Sequence, residues 1–130
     1  MGKKILIIDD EEKICSVVSA FLGKKGFTAV TAHNGSEGIK AAQRLIPDLI
    51  LLDINMPKMD GYAVLEKLKN HEKTIAIPVI MLSGRGDDES KIKAAGLYSA
   101  YYLTKPFDLE ELASKIVLNF RPSGHERPCF

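Results

Sequence analysis

The sequence has no tryptophan, only two cysteines among its 130 residues, and no apolar run of membrane-spanning length. The first apolar run, at residues 5–8, is too short for a signal peptide or a membrane span. Cys15 and Cys129 belong to no Cys/His cluster with zinc-site spacing, and nothing supports a disulfide between them. Because Cys15 falls on the apolar side of a helical pattern, we expect it to be buried in the core. These absences indicate a cytoplasmic protein with no membrane partner.

Net charge is also nearly absent, because 18 Lys and Arg residues oppose 17 Asp and Glu residues. The net charge of +1, with no basic cluster and no helix-turn-helix pattern, predicts that the chain binds no nucleic acid directly. A hydrophobic fraction of 45% is ordinary for a globular domain. We predict one domain over residues 1–120 and a flexible C-terminal tail over residues 121–130, which contains two prolines, a glycine and no periodicity.

Short apolar runs alternate with longer amphipathic segments along the chain. The runs predict five strands, at residues 5–8, 27–31, 49–52, 79–82 and 100–103. The segments predict five helices, of which the fourth, over residues 88–95, has the thinnest apolar stripe. The stripes of the first two helices are Ile14, Val17, Val18, Phe21 and Leu22, and then Ile39, Ala42 and Ile46. This alternation predicts an α/β fold, with a parallel sheet that is covered by helices on both faces.

Polar side chains stand where the apolar runs end. Asp9 and Asp10 follow the first run, Asp53 follows the third, and Ser83 follows the fourth. Lys105 comes shortly after the fifth run. In such folds, ligands bind outside the carboxyl ends of the strands. We therefore expect three carboxylates, a hydroxyl and an ammonium group to converge at one edge of the sheet.

This set of groups suits phosphoryl chemistry. Three crowded carboxylates repel one another, so either some stay protonated or a cation such as Mg²⁺ neutralises them. Asp53 can act as a nucleophile and form an aspartyl-phosphate. The ammonium group of Lys105 and Mg²⁺ can stabilise the transferring phosphoryl group, and Ser83 can donate a hydrogen bond to it. Taken singly, an Asp after a strand is more often a helix cap or a turn residue, so the prediction rests on the whole set.

Four segments together resemble the response-regulator receiver family. They are Ile-Leu-Ile-Ile-Asp9-Asp10-Glu11, Leu-Ile-Leu-Leu-Asp53-Ile-Asn-Met-Pro57-Lys-Met-Asp-Gly61, Val-Ile-Met-Leu-Ser83 and Tyr102-Leu-Thr-Lys105-Pro106-Phe107. The resemblance covers essentially everything except the last ten residues. It implies a flavodoxin-like fold, a doubly wound five-stranded parallel sheet of order 2-1-3-4-5 with five helices.

The resemblance also implies a signalling switch rather than an enzyme, since such a domain catalyses only its own phosphorylation and dephosphorylation. Asp53 would be the phosphoacceptor, and the donor would be a phosphohistidine on a sensor histidine kinase or a histidine phosphotransfer protein. Mg²⁺ would be bound directly by Asp10 and mainly through water by Asp9. Asp53 and the backbone carbonyl of Asn55 would complete the protein ligands of the metal.

Three further residues take roles by resemblance. Lys105 would pair with the phosphoryl group. Ser83 and Tyr102 match the switch pair of the family, in which the hydroxyl closes on the phosphate and the aromatic ring turns inward. This movement would repack the face formed by the fourth helix, the fifth strand and the fifth helix, where a downstream protein partner would dock.

Two other functions compete with this interpretation. A phosphatase of the haloacid-dehalogenase type would need a second Asp two residues after the nucleophile, where this sequence has Asn55. A receiver-fold module that binds its partner without phosphorylation would usually lack one of the acidic residues or the lysine, which are all present here. The sequence also leaves open whether the domain is a stand-alone regulator or part of a larger regulator or hybrid kinase.

Overall fold

Five strands and four helices make up the part of the chain that the computed structural model describes, residues 3–56, 58–83, 101–105 and 107–120. The strands are β1 (Lys4–Ile8), β2 (Thr28–Ala32), β3 (Leu49–Asp53), β4 (Val79–Ser83) and β5 (Tyr101–Thr104). The helices are α1 (Glu12–Lys24), α2 (Gly35–Leu45), α3 (Gly61–Lys69) and α4 (Leu109–Asn119). The predicted helix over residues 88–95 and the predicted tail over residues 121–130 lie outside the described residues.

All five strands belong to one sheet of order β2-β1-β3-β4-β5, and each neighbouring pair is parallel. This confirms the predicted doubly wound sheet. Among the described helices, none is long and apolar enough to cross a membrane.

The sheet is buried between two helical layers. One layer packs α1 and α4 against one face of the strands, and the other packs α2 and α3 against the opposite face. Successive residues of a strand point to opposite faces, so a strand that is covered on both sides is apolar at every position. This explains why β3 and β4 are buried along their whole length.

Two of the predicted apolar stripes are wrong in part. Val17 is 55% exposed, because it lies outside the face of α1 that packs on the sheet, where Cys15, Val18 and Leu22 are buried and Ile14 and Phe21 are partly buried. Ile46 is 43% exposed and lies beyond the end of α2, where it takes the left-handed conformation with φ 45°. The spacing of apolar residues in a sequence indicates which side of a helix is apolar, but it does not indicate how much of the helix surface the sheet covers.

The two central strands β3 and β4 end in polar residues of the predicted site. Asp53 is the last residue of β3 and Ser83 is the last residue of β4. Both side chains are buried. Their positions are therefore set by the hydrogen-bonded ladder of the sheet and not by a loop, which makes this edge a rigid support for a site.

Candidate functional site

Three carboxylates meet at the carboxyl edge of the sheet, as predicted. Asp9 and Asp10 follow β1, and Asp53 ends β3, which is the neighbour of β1 in the sheet. Each of the three residues offers a carboxylate oxygen, and these oxygens all lie within 4.8 Å of one another. We call Asp9, Asp10 and Asp53 the acidic cluster.

The backbone around β1 orients the first member of the acidic cluster. Asp9 is fully buried, and its amide donates a hydrogen bond to the carbonyl of Ala32 at 3.1 Å. Its Oδ1 accepts a hydrogen bond from the amide of Glu11 at 3.0 Å. Asp10, in contrast, is exposed. The acidic cluster thus combines one fixed inner carboxylate with one outer carboxylate that solvent reaches.

Lys105 reaches across the sheet edge into the acidic cluster. Its Nζ lies 3.2 Å from Oδ1 of Asp53 and 3.4 Å from Oδ2 of Asp9. Its backbone amide donates a hydrogen bond to the carbonyl of Ser83 at 2.6 Å, which holds it beside β4. The sequence did not single out Glu11, whose Oε1 is 3.9 Å from the same ammonium group. The signal for it was present, since Glu11 continues the acidic run after β1.

The charges of these groups are strongly coupled. Burial, and then repulsion from Asp9, raise the pKa of Asp53 to about 6, although Lys105 and the Asn55 amide oppose the rise. Burial alone would lower the pKa of Lys105, but attraction to Asp53 and Asp9 outweighs it and holds that pKa above its usual value. One ammonium group therefore compensates the buried carboxylates only in part, and the site retains an excess of negative charge near neutral pH.

This excess of charge predicts that the Asp53→Asn variant is more stable than the wild type. We expect a gain of about 2 kcal/mol in the free energy of unfolding at about pH 7. Because its pKa is raised, the Asp53 carboxyl binds a proton more tightly in the folded wild type than in the unfolded chain. Wild-type stability therefore falls as the pH rises from about 4 through about 6, and the asparagine variant lacks this fall. Urea denaturation in EDTA measures both proteins, and a gain that is the same at about pH 4 and about pH 7 would contradict the electrostatic origin.

Of the two predicted switch residues, Ser83 lies on β4, the neighbour of β3, and Tyr102 lies on β5, the edge strand beyond β4. Ser83 is buried at the end of β4 and pairs in register with Thr104 of β5. Tyr102 pairs with Met81, is half-buried, and packs against the hydrophobic cluster beneath α2 and α3. Burial raises the pKa of its hydroxyl. The described structure thus has the ring of Tyr102 against the core.

The loop after β3 closes tightly on the phosphoacceptor candidate. The amide of Asn55 donates a hydrogen bond to Oδ1 of Asp53 at 3.3 Å, and the amide of Gly61 donates one to the carbonyl of Ile54 at 2.9 Å. A Cβ on Gly61 would lie 2.6 Å from the backbone oxygen of Asp53. The sequence motif contains this glycine, but only the structure shows that it allows the start of α3 to touch the end of β3.

The donor set fits a hard divalent cation. Mg²⁺ prefers carboxylate oxygens as ligands and keeps several waters beside them. In the acidic cluster, the carboxylate of Asp10 is exposed, so water can reach a bound ion. Receiver domains generally use Mg²⁺, and the acidic cluster offers that ion three carboxylates at one point. Among the described residues, no other group of three or more acidic, His or Cys side chains is close enough to hold an ion together.

Comparisons with known proteins agree with this geometry. Residues 5–117 match the model of the response regulator receiver domain. The chain is 42% identical over 113 residues to the DNA-binding dual master transcriptional regulator RpaA of Synechocystis sp., an alignment that covers 87% of this chain and 47% of RpaA. The chain spans about half the length of the curated relatives that it matches.

Solved structures show the same architecture. The chemotaxis protein CheY4 of Vibrio cholerae matches with a TM-score of 0.83 and 30% identity, over 92% of this chain and 100% of that one. The signal receiver domain of a signal transduction histidine kinase from Syntrophus aciditrophicus matches with a TM-score of 0.84 and 28% identity, over 99% and 98% of the two chains. With the family model, the fold and the strand-end residues in agreement, the chain belongs to the response regulator receiver domain family, whose members are signalling switches.

Proposed function

We propose that this domain is a phosphorylation switch in which Asp53 accepts a phosphoryl group while Mg²⁺ is bound at the acidic cluster. The donor is the phosphohistidine of a sensor histidine kinase or a histidine phosphotransfer protein. Asp9, Asp10, Asp53 and the backbone carbonyl of Asn55 are the proposed protein ligands of the metal. When bound, Mg²⁺ offsets the negative charge of the carboxylates and of the incoming phosphoryl group.

Asp53 and Lys105 have different roles in the proposed phosphoryl transfer. An Oδ of Asp53 attacks phosphorus, so that an O–P bond forms while the P–N bond to the donor imidazole breaks, and the imidazole takes up a proton from solvent. The ammonium group of Lys105 pairs with a phosphoryl oxygen, for which it leaves Asp53. Its present contact with Asp53 at 3.2 Å supports this role, because the group already stands beside the attacking atom.

The switch acts through β4 and β5. We propose that the hydroxyl of Ser83 donates a hydrogen bond to the phosphoryl group and that Tyr102 repacks in response. The face around β5 and α4, together with the helix predicted before β5, then contacts a downstream protein. Two apolar side chains there, Tyr101 and Val117, are exposed, which supports contact with a partner. The absence of a nucleic-acid partner and the cytoplasmic location stay predictions.

The output can lie on a separate protein or elsewhere in a longer chain. RpaA is named as a DNA-binding regulator and is about twice as long as the aligned part of this chain. The Syntrophus neighbour is a receiver domain of a histidine kinase. Since relatives of both kinds share this fold, we propose only the switching step for this domain. The output that the switch controls depends on the protein in which the domain occurs.

One observation carries the proposal. At the end of a buried central strand, the carboxylate of Asp53 contacts the ammonium group of Lys105 and lies within 4.8 Å of two further carboxylates. A buried group of this kind is unfavourable for stability in the absence of a cation, because its charges are only partly compensated. It is favourable for a reaction that brings Mg²⁺ and a phosphoryl group to the same point.

The test is phosphorylation with a small donor. Incubation with acetyl phosphate and Mg²⁺ should add one phosphoryl group to the intact mass, and EDTA should prevent the gain. The Asp53→Asn variant should show no gain. The matched control is Asp60→Asn, which removes a carboxylate from the same loop but keeps the cap of α3, because asparagine caps a helix as well as aspartate does.

The control and the donor decide the interpretation. The Asp60→Asn variant should gain mass like the wild type. If the wild type gains no mass from acetyl phosphate, a phosphorylated histidine phosphotransfer protein replaces it as donor. Failure with both donors, in protein that is folded and binds Mg²⁺, would refute the switch and favour a module that binds its partner without phosphorylation.

A further inference from the structure

The loop between β3 and α3 carries an exposed lysine, Lys58, close to the phosphoacceptor candidate. At one end of the loop the amide of Asn55 donates a hydrogen bond to Asp53, and at the other end a Cβ on Gly61 would touch the backbone oxygen of Asp53. Lys58 is three residues from Asn55 and three from Gly61, and three residues of chain span at most about 11 Å. The fold therefore holds Lys58 near the site.

The backbone of Lys58 takes the left-handed conformation, with φ 68°. This conformation is unfavourable for a residue with a Cβ and is readily available to glycine. Among the described residues, none forms an ion pair or a hydrogen bond with the ammonium group of Lys58. The described structure thus shows a cation at a strained position, without a contact that would compensate the strain. Strained residues of this kind cluster at functional sites.

A cavity of about 460 Å³ lies beside Lys58 at the carboxyl edge of the sheet. Its lining comes from the start of α2 and from the loop after β3, and consists of Asn34, Gly35, Ser36, Lys58 and Met59. In the sheet, β2 and β3 flank β1, the strand that leads to Asp9 and Asp10. The cavity therefore lies on the same edge as the acidic cluster, and among its described lining residues Lys58 alone carries a charge.

The charges at this edge oppose the approach of a phosphorylated protein. The acidic cluster brings three carboxylates together against the one ammonium group of Lys105, and the incoming phosphoryl group is negative as well. A small donor only has to diffuse into the site, whereas a protein donor must also be oriented over it. An exposed cation beside the site can attract an acidic side chain of the donor, and so both steer and orient its approach.

The two lysines of this edge differ in what they can contact. The side chain of Lys105 is 20% exposed, and its Nζ lies 3.2 Å from the carboxylate of Asp53, so it is directed at the reacting atoms. Lys58 is exposed and makes no such contact with a described carboxylate. Its ammonium group is therefore available to a protein that covers the site, but it is not part of the acidic cluster.

We propose that Lys58 is a positioning residue for the phosphodonor protein, and that its ammonium group pairs with a carboxylate of that protein while the phosphohistidine approaches Asp53. The carboxylate enters the cavity beside the start of α2. This inference rests on the proposed phosphoryl transfer and adds that the donor is acidic where it meets the loop between β3 and α3. Because Lys58 does not touch the reacting atoms, it affects the binding of a protein donor and is not needed for a small donor.

The test compares acetyl phosphate with a phosphorylated histidine phosphotransfer protein that phosphorylates the wild type, both with Mg²⁺. Single-turnover assays with this chain in excess give the maximal transfer rate and the chain concentration at half that rate. Lys58→Glu should raise the half-maximal concentration at least about tenfold, because a like-charge repulsion replaces an attraction. The maximal rate should stay within about twofold of the wild type, and the effect should shrink in about 0.5 M salt, which screens exposed charges. With acetyl phosphate, both proteins should gain mass at the same rate.

Three further variants separate the charge of Lys58 from its backbone and from the net charge of the protein. Lys58→Arg keeps the charge and should bind the donor like the wild type. Lys58→Gly removes the charge but suits the left-handed backbone, so it should weaken donor binding about two- to fivefold without lowering the midpoint of urea denaturation. Lys67→Glu is the matched control, because it changes the net charge as Lys58→Glu does but lies on α3 outside the cavity lining. It should leave the half-maximal concentration unchanged.

The two donors distinguish failure of this inference from failure of the proposed function. The role of Lys58 is overturned if Lys58→Glu and Lys67→Glu give the same half-maximal concentration, or if Lys58→Glu slows acetyl phosphate as much as the protein donor. Either result leaves phosphorylation of Asp53 intact, since the wild type still gains the phosphoryl group. If acetyl phosphate phosphorylates the wild type but no phosphotransfer protein does, the proposed donor is wrong and the role of Lys58 is overturned with it.

Discussion

The Lys105→Met variant should become phosphorylated on Asp53 about 100-fold more slowly than the wild type, because loss of one charge-stabilising group at a reacting centre typically has an effect of that size. Methionine keeps most of the aliphatic length and removes the charge. In the structure that charge lies 3.2 Å from Asp53 and 3.4 Å from Asp9. The rate is measured from the intact mass during incubation with acetyl phosphate and saturating Mg²⁺.

The same variant should bind Mg²⁺ more tightly, not more weakly. In the metal-free protein, Lys105 partly neutralises Asp53 and Asp9, and its removal leaves those carboxylates without compensation. Isothermal titration calorimetry should therefore show a several-fold gain in Mg²⁺ affinity together with the slow phosphorylation. A misfolded variant, in contrast, would be phosphorylated slowly and would also bind Mg²⁺ more weakly than the wild type.

A lysine elsewhere provides the matched control. Lys25 forms an exposed ion pair with Glu110, at 3.2 Å, on the surface of the protein. Exposed pairs of this kind contribute little to stability. The Lys25→Met variant should therefore resemble the wild type in phosphorylation rate and in Mg²⁺ affinity. If Lys105→Met is phosphorylated as fast as Lys25→Met, the proposed role of Lys105 is wrong.

The Gly61→Ala variant should lose stability and phosphorylation together. The new methyl group would stand 2.6 Å from the backbone oxygen of Asp53 and 2.6 Å from Cα of Ile54, and backbone atoms cannot turn away as a side chain can. We expect a loss of about 2 to 3 kcal/mol in the free energy of unfolding. Displacement of the Asp53 backbone should also reduce phosphorylation by at least about tenfold, since misplacement of reacting groups by fractions of an ångström is costly.

Gly23 is the matched control for this substitution. A Cβ at that position meets nothing within 4 Å, and the residue lies inside α1. Alanine favours the helix there, so Gly23→Ala should be neutral or stabilising by about 0.5 to 1 kcal/mol. Urea denaturation and phosphorylation assays on both variants separate the two positions. Equal behaviour of Gly61→Ala and Gly23→Ala would contradict the close approach of α3 to Asp53.

Where the sequence predicted well, the reason is periodicity. Strands that are buried on both faces are continuously apolar, so β1, β3 and β4 were evident from runs of four such residues. Parallel strands that alternate with helices bring all their carboxyl ends to one edge. That rule alone predicted the meeting of Asp9, Asp53 and Lys105, which the structure confirms with contacts of 3.2 and 3.4 Å.

The burial of individual helix residues was predicted less well, because the sequence does not show which part of each helix packs against the sheet. Val17 fits the helical spacing of α1 but faces away from the sheet, and Ile46 fits that of α2 but lies past its end. Cys15 was correctly expected to be buried. The sequence did not predict the approach of its Sγ to Nδ1 of His33, at 4.0 Å, because a contact between α1 and the residue after β2 leaves no spacing signal in the chain.

The sequence by itself therefore determined the fold class, the sheet edge that carries the site and the residue types that meet there, since these follow from periodicity and from the direction of parallel strands. The tertiary structure alone decided the rest. It set the raised pKa of Asp53, the contact of Gly61 with the end of β3, and the pairing of Cys15 with His33. The physical reason is that each of these depends on distances of a few ångströms between residues far apart in the chain, and such distances arise only when the helices pack onto the sheet.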